Sequence, residues 1–218
     1  MITVSNELRI TEIFHSLQGE ARSVGLPTVF VRLTGCPLRC VYCDTAYAFS
    51  GGTLMSLEQI YRSVEEAGCR RVCVTGGEPL AQPECIELLR HLCDEGYEVS
   101  LETSGALSIA DVDTRVSRVV DLKTPDSGES HRNLWSNMDL LTQHDQVKFV
   151  VASRSDYDWA RFKMDEHELS GRVAECLFSP SHGVLDATEL AEWILADRLE
   201  ARLQLQLHKL LWQDAPGH

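Results

Sequence analysis

Short apolar stretches alternate along the chain with longer stretches in which apolar residues recur every three or four positions. The short stretches are rich in β-branched residues, which predicts strands, whereas the longer ones predict amphipathic helices. The predicted strands have the sequences TVFVRLTG, RVCVTGG, YEVSLETSG, RVVDLKTP, QVKFVV and RVAECLFSP. Strands that alternate with helices are typical of a parallel sheet with right-handed crossovers. The pattern therefore predicts an α/β fold, a partial (β/α) barrel of about six parallel strands.

The helical stretches carry their own start and stop signals. Ser56 and Gln59 have the spacing of a capping box, and Gly68 ends the helix that they begin. A second helix has Pro83 in its first turn. Two further helices are predicted, with the sequences SDYDWARFKMDEHE and DATELAEWILADRLEA. Residues 125–146 show few periodic signals, so we expect a loop with a short helix that covers the site.

Length and composition are those of one globular domain. A chain of 218 residues can bury a full core, so we expect residues 1–218 to form a single domain. No apolar run approaches the roughly 20 residues that a membrane helix needs. The first residues, MITVSNELRI, lack a basic region followed by an apolar stretch, so no secretory signal is expected. These features predict a cytoplasmic protein that does not contact a membrane.

The formal net charge of −13 changes the range of possible ligands. A nucleic-acid surface needs a basic face, so direct binding of nucleic acid is not expected. A small molecule is the better fit. Eight cysteines in a reducing compartment are metal ligands, reactive thiols or buried apolar residues rather than disulfides. The five scattered ones are interpreted as buried structural cysteines: Cys69, Cys73, Cys85, Cys93 and Cys176.

The other three cysteines form a C-x3-C-x2-C group in the loop after the first predicted strand, at Cys36, Cys40 and Cys43. Three thiolates around a four-iron, four-sulfur cluster leave one iron without a protein ligand, and a small molecule can bind there. The alternative is a structural zinc site, which needs a fourth ligand from His15 or Asp44. The segments after the predicted strands are polar or rich in glycine, and ligands collect at these carboxyl ends.

The cysteine group, with the aromatic Tyr42 before the last cysteine, resembles the signature of the radical S-adenosylmethionine (SAM) superfamily. A second motif of that superfamily, GGEP, stands at residues 76–79. The resemblance implies a radical SAM type of barrel and a [4Fe–4S] cluster whose open iron binds the amino and carboxylate groups of SAM. It also implies that electron transfer from the cluster cleaves SAM to a 5′-deoxyadenosyl radical.

The segment FHSLQGEARSVGLPTVFVRLTGCPLRCVYCDTAY is similar to the 7-carboxy-7-deazaguanine synthase family, and the similarity extends over nearly the whole chain. It implies a lyase that converts 6-carboxy-5,6,7,8-tetrahydropterin to 7-carboxy-7-deazaguanine by a radical ring contraction that expels ammonia. The family serves the biosynthesis of queuosine and other deazapurines, a tRNA modification pathway. SAM is regenerated, and Mg²⁺ is a further cofactor.

The same resemblance implies the site residues. The cluster ligands are Cys36, Cys40 and Cys43, and the magnesium ligand is Thr45. The SAM-binding residues are Tyr42, Gly76, Gly77, Glu78, Glu102, Ser104, Asp121, Leu122 and Lys123, although Glu102 and Ser104 could also meet the substrate. The substrate-binding residues are Leu17, Gln18, Gly19, Glu20, Arg32, Thr75 and His208. Arg32 is assigned to the substrate carboxylate, because a guanidinium can hold a carboxylate through two hydrogen bonds. No general acid or base is assigned.

Two other functions share part of this pattern. A radical-generating activase of a glycyl radical enzyme would have the cluster and GGEP, but has no need for HSLQGE together with Arg32. A non-enzymatic iron–sulfur electron carrier or a zinc-stabilised binding module needs no cofactor site at the strand ends. The expected partners are an electron donor such as flavodoxin or ferredoxin and a second copy of the chain, since a homodimer would cover exposed sheet edges. The chain continues beyond Pro216, so a family contact between the terminal carboxylate and substrate is not carried over.

Overall fold

The computed structural model describes residues 6–213, 215 and 217. The interpretations of the first five residues and of Pro216 therefore lie outside the described residues. The described chain forms a nine-stranded sheet in the order β3-β1-β2-β4-β5-β6-β7-β8-β9. The strands are β1 Glu7–Leu17, β2 Pro27–Leu33, β3 Thr53–Ser56, β4 Arg71–Gly76, β5 Glu98–Thr103, β6 Ser117–Leu122, β7 Gln146–Val151, β8 Glu175–Pro180 and β9 Arg202–Leu203.

The prediction of a mostly parallel α/β sheet is confirmed. The six predicted strands are β2 and β4 to β8, and each pairs in parallel with its neighbours in this series. The two-residue strand β9 extends the parallel part. The sequence analysis did not predict β9, nor β1 and β3, which pair antiparallel at the other edge. Because β3 and β9 are the sheet's two edges, the barrel is unclosed.

Five helices pack on one face of this sheet: α1 Leu57–Glu66, α2 Cys85–Asp94, α3 Arg154–Glu166, α4 Leu169–Arg172 and α5 Ala187–Asp197. The sixth, α6 Leu207–Trp212, has no residue in the main core and lies beside the cavity on the opposite face. Pro83 lies before α2 rather than in its first turn, because the helix begins at Cys85. Residues 125–146 contain three short 3₁₀ helices at Pro125–Ser127, Ser130–Arg132 and Trp135–Leu140. Within the described part of the chain, no helix is long and apolar enough to cross a membrane.

Alternation along the strands separates the core from the opposite face of the sheet. In β6, Val120 and Leu122 are fully buried in the main hydrophobic core, whereas Val119 and Asp121 line a cavity. In β7, Val147 and Phe149 are in the core and Lys148 faces that cavity. Successive side chains of a strand point to opposite faces, so one face is apolar beneath the helices and the other can carry polar chemistry.

The predicted capping box at the start of α1 is present. Ser56 accepts a hydrogen bond from the backbone N–H of Gln59 at 3.2 Å, and the Gln59 side chain accepts from the Ser56 N–H at 2.8 Å. We expect Ser56→Ala to lower the free energy of unfolding by about 1 kcal/mol, because a helix N–H loses its acceptor. Urea denaturation followed by circular dichroism measures this change. Ser63→Ala, on the same helix, is the control, and an equal loss in both variants would contradict the role of the cap.

Candidate active site

A cavity of about 680 Å³ lies against the face of the sheet that the helices leave open, at the carboxyl ends of the parallel strands. It is lined by residues from β1, β2, the cysteine loop, β4 to β8 and the C-terminal segment. The residues selected from the sequence that line it are Leu17, Gln18, Gly19, Glu20, Arg32, Cys36, Cys40, Tyr42, Cys43, Thr45, Thr75, Gly76, Gly77, Glu102, Ser104, Asp121, Lys123 and His208. The fold thus brings together segments that are far apart in the chain.

Two selected residues, Glu78 and Leu122, do not line the cavity. Leu122 is in the apolar core, on the face of β6 opposite to Asp121. Glu78 is fully buried, and its carboxylate accepts hydrogen bonds from the Thr103 hydroxyl at 2.9 Å and the Ser104 backbone N–H at 2.7 Å. Glu78 therefore joins the turn after β4 to the turn after β5. Direct contact of either side chain with a cofactor stays a prediction.

The loop that carries the three cysteines is held from outside the cavity. The Arg39 guanidinium donates to the backbone oxygens of Cys36 at 2.7 Å and Leu38 at 2.6 Å. The Val41 N–H donates to the Ser127 carbonyl at 3.0 Å. Residues 125–146 thus contact the cysteine loop, but none of the described ones lines the cavity, so the expectation that they cover it is not met.

The cysteine thiols suit a cluster with one open iron. Cys36, Cys40 and Cys43 are free, half-buried and exposed to the same cavity. Burial raises the pKa of the Cys40 thiol to about 11, so the unligated thiol is protonated at neutral pH and iron binding must displace its proton. Of the two residues considered as a fourth zinc ligand, His15 is exposed on β1 away from the cavity, whereas Asp44 lines it. Among residues 6–213, 215 and 217, no group of three or more His, Cys, Asp or Glu side chains is arranged to hold a metal ion.

The remaining cysteines match their structural interpretation in part. Cys73, Cys85 and Cys176 are buried, and Cys69 and Cys93 are half-buried. Cys69 donates a hydrogen bond from its thiol to the Pro27 carbonyl at 3.2 Å. None of the five lines the cavity.

The glycines of GGEP let two loops approach closely. A Cβ on Gly77 would lie 2.3 Å from the Gly35 carbonyl oxygen and 2.8 Å from the Cys36 Cβ, so there is no room for a side chain. We expect Gly77→Ala to push the cysteine loop outward and lower stability by about 1–3 kcal/mol. Its iron content after anaerobic reconstitution should fall as well. Gly171→Ala is the matched control, because no atom lies within 4 Å of its added Cβ. Equal iron contents in the two variants would refute the contact.

Arg32 projects from β2 and is oriented by residues that the sequence analysis did not select. Its Nε donates to Glu12 Oε1 at 2.7 Å, and the Tyr47 hydroxyl donates to the same oxygen at 2.8 Å. Its guanidinium lies 5.9 Å from the ring centres of Phe14 and Tyr47. Glu12 comes from β1, an unpredicted strand, and alternating polar positions in ELRITEIFHSL are the signal that could have identified it.

A network of charged side chains crosses the floor of the cavity. Lys148 forms an ion pair with Glu20 and lies 3.7 Å from Asp121, which also pairs with Lys123 at 3.0 Å. The second oxygen of Asp121, Oδ1, is buried and has no hydrogen-bond partner among the described residues. Lys148 was not selected from the sequence, although a lysine inside the apolar strand QVKFVV is unusual and could have indicated a functional residue.

The C-terminal segment closes one side of the cavity. Gln206 uses its amide nitrogen to donate to Glu20 at 2.7 Å and to Asp44 at 3.0 Å. Asp44 also accepts from the Thr45 hydroxyl at 2.8 Å, which places a hydroxyl and a carboxylate side by side. His208 lies against Gly19, where a Cβ would be 2.2 Å from the His208 Nδ1. Gln206 had no recognisable signal in the sequence, and Asp44 was considered there only as a fourth zinc ligand.

Comparisons with known proteins identify the superfamily, the family and the fold. The sequence model of the Radical SAM superfamily matches residues 30–122. The 7-carboxy-7-deazaguanine synthase of Koribacter versatilis is 43% identical over 94% of this chain and 97% of its own. The protein of the same name from Chlorobaculum tepidum is 44% identical over 96% of this chain and 97% of its own. The crystal structure of QueE from Escherichia coli superposes with a TM-score of 0.73 at 23% identity, covering 93% of this chain and 95% of that one, and thus shares the fold.

Proposed function

The chain belongs to the 7-carboxy-7-deazaguanine synthase family of radical SAM enzymes, and we propose on this basis that its substrate is 6-carboxy-5,6,7,8-tetrahydropterin. The product is 7-carboxy-7-deazaguanine, and ammonia is lost as the ring contracts. The protein is then a carbon–nitrogen lyase in queuosine and deazapurine biosynthesis. The observation that carries this proposal is that the three cysteines and Arg32 face the same cavity.

We assign a cofactor side and a substrate side to the cavity. Cys36, Cys40 and Cys43 would hold the [4Fe–4S] cluster, whose chemistry when bound is the one-electron cleavage of SAM. The glycine turn at 76–77 allows a ligand to approach the backbone closely. Asp121 lines the cavity, and its carboxylate is assigned as an acceptor for a hydroxyl or ammonium group of SAM. The remaining proposed SAM contacts are Tyr42, Glu78, Ser104, Leu122 and Lys123.

On the substrate side, Arg32 binds the carboxylate of the pterin. The ring is contacted by Leu17 to Glu20, Thr75 and His208. Glu102 belongs to this side, because it accepts hydrogen bonds from Gln18 at 3.2 Å and from Thr75 at 3.2 Å. These contacts fix which ring atom faces the cofactor, and such positioning contributes to catalysis without a general acid or base.

Mg²⁺ fits the oxygen groups at residues 44 and 45. The Thr45 hydroxyl and the Asp44 carboxylate are 2.8 Å apart and line the cavity. Mg²⁺ prefers oxygen ligands and keeps part of its water shell, so few protein contacts suffice. We assign Thr45 as the protein ligand, with substrate oxygens and water completing the shell.

Further proposals concern the protein's surroundings. We infer that residues 1–218 form one domain, that the protein is cytoplasmic and homodimeric, and that flavodoxin or ferredoxin supplies its electrons. The unclosed sheet, with β3 and β9 at its edges, supports dimerisation, because exposed edges favour pairing.

The test is an anaerobic assay of the cluster-reconstituted, reduced protein with SAM, Mg²⁺ and carboxytetrahydropterin. Mass spectrometry follows 7-carboxy-7-deazaguanine and 5′-deoxyadenosine. We expect product without stoichiometric deoxyadenosine, because SAM is regenerated. Deoxyadenosine without deazaguanine acid would leave the superfamily in place but refute the substrate. If neither forms with an intact, reducible cluster, the lyase proposal fails.

A further inference from the structure

We propose that Lys148 is a positioning residue that balances the charges of Glu20 and Glu102 and keeps their carboxylates aimed at the N–H groups of the pterin, a role that rests on the proposed function. Lys148 is not among the proposed contacts of the cluster, SAM, Mg²⁺ or the substrate. It lies in the middle of β7, between Val147 and Phe149, both of which are fully buried in the core. Its own side chain points to the opposite face and lines the cavity, with 14% of its surface exposed.

Lys148 places a charge at a position where an apolar side chain would be more stable. Moving an ammonium group out of water costs several kcal/mol, and an apolar residue in this strand would avoid that cost. Burial opposes the charged form of Lys148, but Glu20, Asp121 and Glu102 more than offset it and raise its pKa well above the usual range. Lys148 is therefore a cation held among three carboxylates.

The three carboxylates differ in how much they depend on Lys148 to balance their charge. Asp121 has a second cation, since Lys123 lies 3.0 Å away. Among the described residues, Lys148 is the only cation in an ion pair with Glu20, whose other oxygen accepts from the neutral Gln206 amide. Burial raises the pKa of Glu102, the Glu20 carboxylate adds to this, and Lys148 opposes it. Removing Lys148 thus takes away the ion-pair partner of Glu20 and leaves Arg32 as the remaining described cation that stabilises the charge of Glu102, whereas Asp121 keeps Lys123.

The chemistry of the pterin explains why two ionised carboxylates are useful. A tetrahydropterin presents N–H donors at its 2-amino group, N3, N5 and N8, so its binding site must supply acceptors. An ionised carboxylate accepts hydrogen bonds at both oxygens. A protonated carboxyl group carries an O–H donor on one oxygen and accepts fewer hydrogen bonds. Glu20 and Glu102 lie with Gln18 and Thr75 on the substrate side. Lys148 lets both remain acceptors although they repel each other.

The experiment compares Lys148→Met with wild type as reconstituted holoprotein. Equilibrium dialysis measures the Kd of 6-carboxypterin, an oxidised analogue that keeps the 2-amino and N3 donors, and separately the Kd of SAM. We expect the Kd of 6-carboxypterin to rise on the order of 10- to 100-fold, as for the loss of a charged hydrogen bond. The Kd of SAM should stay close to wild type, because Asp121 keeps Lys123. A general structural defect would weaken both ligands.

A double-mutant cycle with Glu20→Gln tests whether Lys148 acts through the carboxylates. We expect E20Q/K148M to lose clearly less than the product of the two single losses. Lys163→Met is the control, because Lys163 lies on α3, pairs with Glu166 and does not line the cavity. Should K148M not fold, Lys148→Gln and the double variant, in which both charges are removed, make the same comparison.

Three results would overturn the inference: an unchanged Kd of 6-carboxypterin, an equal loss for SAM, or full additivity with E20Q. The assay of the wild-type protein distinguishes a failure of the Lys148 proposal from a failure of the proposed function. If the wild type makes no deazaguanine acid, the substrate assignment fails. If it does and K148M binds 6-carboxypterin like wild type, only the role of Lys148 fails.

Discussion

Cys40→Ser should make no 7-carboxy-7-deazaguanine and should retain much less iron than the wild type. Cys40 is one of three thiols on the cavity, and a serine oxygen is a poor replacement for a thiolate in an iron–sulfur site. Because the cofactors carry the difficult chemistry, we expect turnover to fall to the uncatalysed background, a loss of at least on the order of 10⁶-fold. Iron and sulfide analysis, the visible absorption of the cluster and the anaerobic assay measure these effects.

The matched control is Cys69→Ser. Cys69 is also half-buried, but its thiol donates to the Pro27 carbonyl and lies outside the cavity. This variant should bind iron and turn over like the wild type. Full iron content and activity in Cys40→Ser would show that the cluster is held elsewhere, and a loss in both variants would indicate general sensitivity to cysteine replacement.

Arg32→Met should lower kcat/KM on the order of 10²- to 10⁴-fold. Arg32 can form two charged hydrogen bonds with the substrate carboxylate, and each contributes about 1.5–3 kcal/mol. Because Glu12 would lose its ion-pair partner and keep only the hydrogen bond from Tyr47, stability must be measured alongside binding. The specific readout is the ratio of the Kd values of pterin and 6-carboxypterin. In the wild type the carboxylate should improve binding, and in Arg32→Met that advantage should disappear.

Arg71→Met is the control for Arg32→Met. Arg71 begins β4, pairs with Glu98 at 3.0 Å and does not line the cavity. It should preserve the discrimination between the two pterins. If Arg32→Met also preserves it, a different group binds the carboxylate, and the orientation of the substrate in the cavity has to be reversed.

Adjacent positions in a strand explain one disagreement between the sequence-based site and the structure. Asp121 and Leu122 were selected together as parts of one cofactor-binding turn. In the structure they still belong to β6, so Asp121 lines the cavity and Leu122 is buried in the core. Period-two alternation predicts this separation, and applying it would have placed the two residues on opposite faces.

Local features were readable from the chain because their causes are local. The parallel strands are short stretches rich in β-branched residues, and the capping box of α1 is a contact between residues three apart. The cysteine spacing and the GGEP turn are likewise contained in single loops. The antiparallel strand β1 was missed because its eleven residues mix charged and apolar side chains without a clear apolar run.

The α/β class, the six parallel strands, the cysteine loop and the strand ends at which a site should lie all follow from local patterns in the chain. Which distant side chains share that site depends on how the strands and the C-terminal segment come together. Glu20 and Lys148 are separated by 128 positions, and Glu20 and Gln206 by 186. Strand pairing and the return of the C-terminal segment set these contacts, whereas propensity and periodicity act over a few residues. For this reason the sequence predicted the cysteine loop, but not the contacts of Lys148 and Gln206 with Glu20.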